Sequence, residues 1–337
     1  MSVIRRVEEV GGNLRVIVHA GTHKTGTTSI QTALARNRDW LFEHGYLYPK
    51  LRDYTGDHNK LAHRLARGEQ PNINLASKLN ATEGNTLVLS AEEFWAVTSR
   101  HEDWEEFCRP DYWQRRIEHL KRLRNALRDF GDTVILLCFR RQDEFAASLY
   151  ATKILSGRFQ GSFEEFRSRS KPLFDYKRQL DAFRAVFSQV RYISFDLLKR
   201  NLVPDFCDWA GVPTLPNRPV ERQAVTPDAR LAQWAYLRRI TPDPERLNGL
   251  CISFATSVDA TTVLPQVGKA VFWPSDGERR SFLASCVDPE PGFFAAAGAA
   301  TDNDRDWFLA TDVTAGDLSR VDEAFEVWRS EQPISRA

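Results

Sequence analysis

His19-Ala20-Gly21-Thr22-His23-Lys24-Thr25-Gly26-Thr27-Thr28-Ser29-Ile30-Gln31 sets a lysine and several hydroxyl residues between an apolar run and an amphipathic one. The preceding run, Leu14-Arg15-Val16-Ile17-Val18, is β-branched and apolar enough for a buried parallel strand. After the stretch, Ile30, Leu34 and Leu41 recur on one helical face. A strand, a glycine turn and a helix start aim several backbone N–H groups at the positive end of a helix dipole, where an anion is stabilised. Gly21 and Gly26 let the backbone close in without Cβ clashes. The stretch therefore reads as a phosphate cradle. In the ordinary nucleotide-triphosphate loop, G-x-x-x-x-G-K-[ST], the lysine follows the second glycine directly. Here Thr27 stands in that place and the lysine, Lys24, lies inside the loop.

A second buried-strand run, Thr133-Val134-Ile135-Leu136-Leu137-Cys138-Phe139, empties into Arg140-Arg141-Gln142-Asp143-Glu144-Phe145-Ala146-Ala147-Ser148. K-[ST]-G-T-[ST] after a strand resembles the 5′-phosphosulfate loop of sulfotransferases that use 3′-phosphoadenosine-5′-phosphosulfate (PAPS). In that family an arginine at a strand end and a serine eight positions later bind the donor's 3′-phosphate, and Arg140 and Ser148 have that spacing. The chemistry is sound, because an arginine fork pairs two phosphate oxygens while a hydroxyl donates a further hydrogen bond. Ser156-Gly157, Phe174-Asp175-Tyr176, Val190 to Phe195 and Asp205 to Val212 also look like bacterial members, so the resemblance spans residues 14 to about 240.

The resemblance implies an α/β fold: a P-loop-like parallel sheet flanked by helices on both faces, with a mostly helical or irregular C-terminal region. It implies one sulfotransferase-like domain over 1–337, with a core at about 14–240 and a cap or extension at 241–337. Strands near 14–19, 86–90, 133–139 and 190–195, alternating with helical patterns, agree with such a sheet. Trp104 to Phe130 reads as a surface helix with solvated charges, Pro227 to Arg239 as a helix, and Leu318, Val321, Phe325 and Trp328 as the buried face of a last helix.

The implied reaction is transfer of a sulfuryl group from PAPS to a hydroxyl or amine, leaving 3′-phosphoadenosine-5′-phosphate. Lys24 would stabilise the charge growing on the bridging oxygen. Thr25, Gly26, Thr27 and Thr28 would hold the 5′-phosphate, and His23 either touches a phosphate or is an exposed loop residue. For the general base, Glu92 is favoured, at the end of Thr86-Leu87-Val88-Leu89-Ser90, because S-x-E-E-F resembles the bacterial motif. Burial would raise its pKa into the working range. Glu93 reads rather as a cap of a helix beginning at Phe94, and His58 is the rival base. His19 reads as structural. No metal is expected, since lysine and helix dipole supply the positive charge that Mg²⁺ supplies in a kinase. The acceptor stays open among a carbohydrate, a glycolipid and a small metabolite.

Two other classes stay open. A Mg²⁺-dependent P-loop kinase or other NTP-using enzyme would need a strand-end aspartate, where Glu92 and Arg140 stand instead. A non-catalytic nucleotide-binding relative would have lost Lys24 or every candidate base, and none is lost. Forty-six Lys and Arg against 45 Asp and Glu give a net charge of +1, which argues against a nucleic-acid partner. No apolar stretch approaches a transmembrane length of roughly 20 residues. The five cysteines are widely spaced, with no C-x-x-C pair, which fits reduced thiols and a cytoplasmic location. Nothing in the sequence signals an oligomeric state.

Overall fold

The computed structural model describes residues 15–50, 57–69, 86–98, 104–128, 130–155, 158–216, 254, 272–296 and 315–331. Five strands, β1 Arg15–His19, β2 Tyr46–Leu47, β3 Thr86–Ser90, β4 Asp132–Phe139 and β5 Gln189–Ser194, form one parallel sheet in the order β2-β3-β1-β4-β5. Ile17 pairs with Val88 on one side and Val134 on the other, so β1 lies at the centre. The four strands expected from the sequence are all present. The fifth, β2, is too short for any period to register.

The helices are α1 Thr27–Arg36, α2 Arg38–Glu43, α3 Asn59–Ala66, α4 Tyr112–Leu127, α5 Gln142–Leu155, α6 Phe163–Arg169, α7 Lys171–Phe174, α8 Tyr176–Arg184, α9 Phe195–Leu198, α10 Leu202–Ala210, α11 Asp276–Ser285, α12 Phe293–Ala296 and α13 Ala315–Glu331. The described residues group into two compact units. One holds the sheet with α1–α4, α7–α10 and α12; the other holds α5, α6, Phe254, α11 and α13.

In the sheet unit, successive strand residues point to opposite faces and both faces are covered. Ile17, Val88, Val134 and Leu136 pack with Ile30 and Leu34 of α1 and with Phe206, Cys207 and Ala210 of α10. On the opposite face, Phe139 meets Trp95 and Tyr176, and Trp95 stacks on Phe183 of α8. Local chemistry sets the helix ends. Asp175 accepts from the Arg178 N–H at the start of α8, and Gly211 ends α10 in the left-handed conformation.

Two expectations are corrected here. Glu92–Trp95 is a 3₁₀ turn that begins at Glu92 itself, not a helix from Phe94. The charges of α4 are not all solvated: Arg116 and His119 are completely buried along with Leu120, Leu123 and Leu127. Arg116 is tolerated there because its guanidinium donates to Gln179 Oε1 at 3.1 Å and to the Phe94 carbonyl, and lies 4.8 Å from the Phe183 ring centroid.

In the second unit, Asp143 and Arg279 form a fully buried ion pair at 3.0 Å. Val321, Phe325 and Trp328 of α13 are buried, with Phe254 packed on the latter two. The side chain of Leu318, the expected helix at 227–239 and Ser156-Gly157 lie outside the described residues.

Candidate functional site

Parallel sheets bind ligands at the carboxyl ends of their strands, and the loop after the central strand β1 lies there, between the ends of β3 and β4. The loop is pinned from below. The Ala20 N–H donates to the Leu136 carbonyl at 3.0 Å, the Thr22 hydroxyl to the Cys138 carbonyl at 2.9 Å, and the Thr25 hydroxyl to the Thr22 carbonyl at 2.7 Å. Thr25 therefore offers a ligand its backbone rather than its hydroxyl. Lys24 has φ 66°, the one positive value at a non-glycine position among the described residues. That conformation costs an L-residue roughly 1–2 kcal/mol and marks a position held by its surroundings.

Gly26, with φ 73°, precedes α1 and has no side chain to cap it, so the first-turn N–H groups face the loop's own concavity. A Cβ at Gly26 would run into Leu202 of α10, and one at Gly21 would come within 2.8 Å of Thr27 Cγ2. The left-handed backbone favours glycine at both positions, and a Cβ there would also have to displace a neighbouring side chain. A nest of this kind, with Lys24 inside it, fits a phosphate or phosphosulfate. Thr28 is exposed at its rim.

Glu92 and Glu93 come to the same place from the end of β3. The Thr27 hydroxyl donates to Glu92, and the His23 imidazole stands between the two carboxylates, with Nδ1 3.6 Å from Glu92 and Nε2 3.8 Å from Glu93. Burial alone would raise the Glu92 carboxyl. The hydrogen bond and charge of His23, the Thr27 hydroxyl and the Lys24 charge outweigh it and hold the pKa at about 2. The expected upward shift is thus reversed, because the loop's cations and hydroxyl stabilise the ionised form.

His58 differs from expectation too. It is buried beneath the end of β3, its Nδ1 accepts from the Ser90 N–H at 3.0 Å, and its Nε2 bonds the Pro49 carbonyl at 2.9 Å. Burial, only partly offset by the Pro49 carbonyl and Asp57, pulls its pKa down to about 4. With both ring nitrogens held by backbone, this imidazole ties two segments together and presents no nitrogen to an acceptor. His19, whose Nδ1 lies 2.9 Å from Ser90 Oγ, is buried and likewise shifted to about 4 by burial, against the pull of Glu92. Its Nε2 has no hydrogen-bond partner.

Arg140, at the end of β4, turns its guanidinium to the loop: Nη1 donates to the Lys24 carbonyl at 3.2 Å, and the group lies 5.7 Å from the Phe195 ring centroid. The Tyr176 hydroxyl holds the Arg140 carbonyl at 2.7 Å. The loop and the strand-end arginine, remote in sequence, are thereby neighbours. Ser148 is buried on α5, in the second unit, where its carbonyl accepts from the Thr152 hydroxyl at 3.0 Å.

Two residues of α3 belong beside this site and were not foreseen. The Asn59 side chain accepts from the Glu93 N–H at 3.3 Å, and His63 Nε2 lies 4.0 Å from Glu93. Their i,i+4 spacing puts them on one helix face, a signal that can be read from sequence only once Glu93 is known to lie opposite. Among the described residues, no three His, Cys, Asp or Glu side chains are grouped to hold a metal, and no helix is long and apolar enough to cross a membrane.

No family model matches the chain, and no curated protein matches it. Solved structures similar to it at low levels include the following two. A sulfotransferase from Alicyclobacillus acidocaldarius is 18% identical over 71% of this chain and 96% of its own, with a TM-score of 0.33. The sulfotransferase domain of the Synechococcus PCC 7002 olefin synthase is 14% identical over 75% of this chain and 98% of its own, with a TM-score of 0.32. At these values neither likeness assigns a role to any residue.

Proposed function

We propose that the protein is a sulfotransferase that moves a sulfuryl group from PAPS to a hydroxyl or amine acceptor. The observation that supports this best is the hydrogen bond from Arg140 to the Lys24 carbonyl, which brings together the two segments that resemble a 3′-phosphate motif and a 5′-phosphosulfate loop. A kinase has no use for a strand-end arginine committed to a 3′-phosphate.

Lys24 and the first-turn N–H groups of α1 hold the 5′-phosphate end, with Thr27 and Thr28 supplying hydroxyls, while Arg140 takes the 3′-phosphate. In the transfer, the acceptor's oxygen or nitrogen forms a bond to sulfur as the bond from sulfur to the bridging oxygen breaks. The electron pair of that bond leaves on the nucleotide phosphate, and Lys24 neutralises it. Glu92 takes the acceptor's proton. In the free protein its carboxylate is a weak base, but the donor's oxygens compete for the same Lys24 charge and Thr27 hydroxyl. Each contact withdrawn from Glu92 raises its affinity for a proton. Glu92 thus gains strength as a base when the donor is in place.

Calorimetric titration with 3′-phosphoadenosine-5′-phosphate, ADP and Mg²⁺-ATP tests the assignment. The 3′-phosphorylated nucleotide is expected to bind at least tenfold more tightly than ADP, and Arg140→Ala to erase that preference. Equal or tighter binding of Mg²⁺-ATP would sink the proposal.

A further inference from the structure

The two carboxylates of the site stand on one 3₁₀ turn, Glu92–Trp95, so the placing of that turn decides where they point. Its start is tied to the sheet by the Ala91 N–H, which donates to the His19 carbonyl at 3.0 Å. Asn59 Oδ1 of α3 accepts from the Glu93 N–H at 3.3 Å, and the Glu93 carbonyl accepts from the N–H groups of Ala96 and Val97 at 3.3 and 3.1 Å. The carbonyl of completely buried Phe94 is met instead by a side chain. Carbonyls in the last turn of a helix need partners from outside it, and a buried one cannot turn to water. The partner is Arg116, reaching in from α4: Nη2 donates to the Phe94 carbonyl and Nε donates to Gln179 Oε1 at 3.1 Å. Gln179 Nε2 donates in turn to the Tyr112 hydroxyl at 3.1 Å and the Pro172 carbonyl at 3.2 Å, which locks the amide that holds the guanidinium.

We propose that Arg116 is a positioning residue for Glu92: from inside the core it sets the turn that carries the Glu92 carboxylate to the Thr27 hydroxyl and the His23 ring. Its bearing on catalysis rests on the sulfuryl-transfer function proposed above. Packing alone gives no reason for a guanidinium at this place, since a desolvated cation is costly unless its directed bonds are used. Burial lowers the Arg116 pKa to about 10, against the pull of Tyr112 and Glu106, so the group is charged at neutral pH and its bond to the carbonyl is charge-assisted. The lever is short. Phe94 lies two residues beyond Glu92, and a turn released at Phe94 swings Glu92 away from partners that it meets only at hydrogen-bond and ion-pair distances.

The test needs no acceptor, because it reads the Glu92 carboxyl itself by ¹³C NMR of the full-length protein labelled at its glutamate side chains. Wild-type Glu92 is expected to stay ionised down to the lowest pH at which the protein is folded, in keeping with its pKa of about 2. Arg116→Met should raise the midpoint by about one pH unit or more as the His23 and Thr27 contacts loosen, and Arg116→Lys, which keeps one charged donor, by less. Leu123→Ala removes a completely buried side chain from the same helix but no bond to the turn, so it should lower stability and leave the midpoint where it was. An unchanged midpoint in Arg116→Met, or in Arg116→Lys if the first variant does not fold, overturns the assignment, and so does an equal rise in Leu123→Ala. Titration of the same samples with 3′-phosphoadenosine-5′-phosphate separates the two proposals. If the nucleotide binds while the carboxyl is unmoved, the positioning alone fails; if the nucleotide does not bind wild-type protein, the donor assignment fails and the carboxyl still decides the positioning.

Discussion

Replacing His58 by Gln separates a structural imidazole from a catalytic one. In the folded chain His58 titrates at about 4 rather than near its ordinary 6.5, so between those values the unfolded chain binds nearly one more proton. The sign follows: the stability His58 contributes is fully present above pH 6.5 and is lost as pH falls through 4. One proton of difference amounts to about 1.4 kcal/mol per pH unit, and to ~3 kcal/mol across the window. At pH 7 the variant forfeits at least one of the two backbone hydrogen bonds and is expected to be about 1–2 kcal/mol less stable than wild type. Because glutamine does not titrate, that deficit should shrink and then reverse as pH falls from 7 to 4.5. Urea unfolding followed by circular dichroism at four pH values gives the two curves. His19 and His119 act with the same sign in both proteins and cancel in the difference. A deficit that stays constant with pH would refute the argument, and a hundredfold loss of turnover with nucleotide binding intact would restore His58 as the base.

Two further substitutions probe the loop and the second unit. Lys24→Gly and Lys24→Ala should both abolish turnover, but glycine accepts the left-handed backbone that alanine does not, so thermal unfolding should find the glycine variant about 1 kcal/mol the more stable; the reverse order would contradict the strain assigned to Lys24. Asp143→Asn removes the buried half of the pairing of Arg279 but leaves its half-exposed partner Asp276, and should cost about 1–3 kcal/mol in denaturant titration, while Asp143→Leu combined with Arg279→Met should recover most of it. A loss below 1 kcal/mol in the single variant would mean the pair is not sealed from water.

The strands that carry the site could be read from the sequence because each is a run of apolar, β-branched residues buried on both faces, and the loop because its glycines mark a left-handed backbone. Side-chain direction could not. Glu92 looked like a carboxyl to be raised by burial, yet the cations brought to it by the loop decide the outcome, and only the fold brings them. His58 carried the right chemistry in the right segment, and its fate depended on two backbone groups, Ser90 N–H and Pro49 C=O, that pattern cannot place. Arg116 was hidden for the opposite reason: a helix rich in arginines gives no hint which one turns inward to Gln179.

The contact of Gly26 with Leu202 bears on how the protein can be divided. The residues proposed to bind the 5′-phosphate all precede residue 29, yet the wall against which their loop closes is α10, and the same helix sends Phe206 onto the ring of His19. A fragment cut before Leu202 would retain Lys24, Glu92, Arg140 and Ser148 and still leave Gly26 without backing. If the loop binds a nucleotide as proposed, the shortest piece expected to do so extends at least through Ala210.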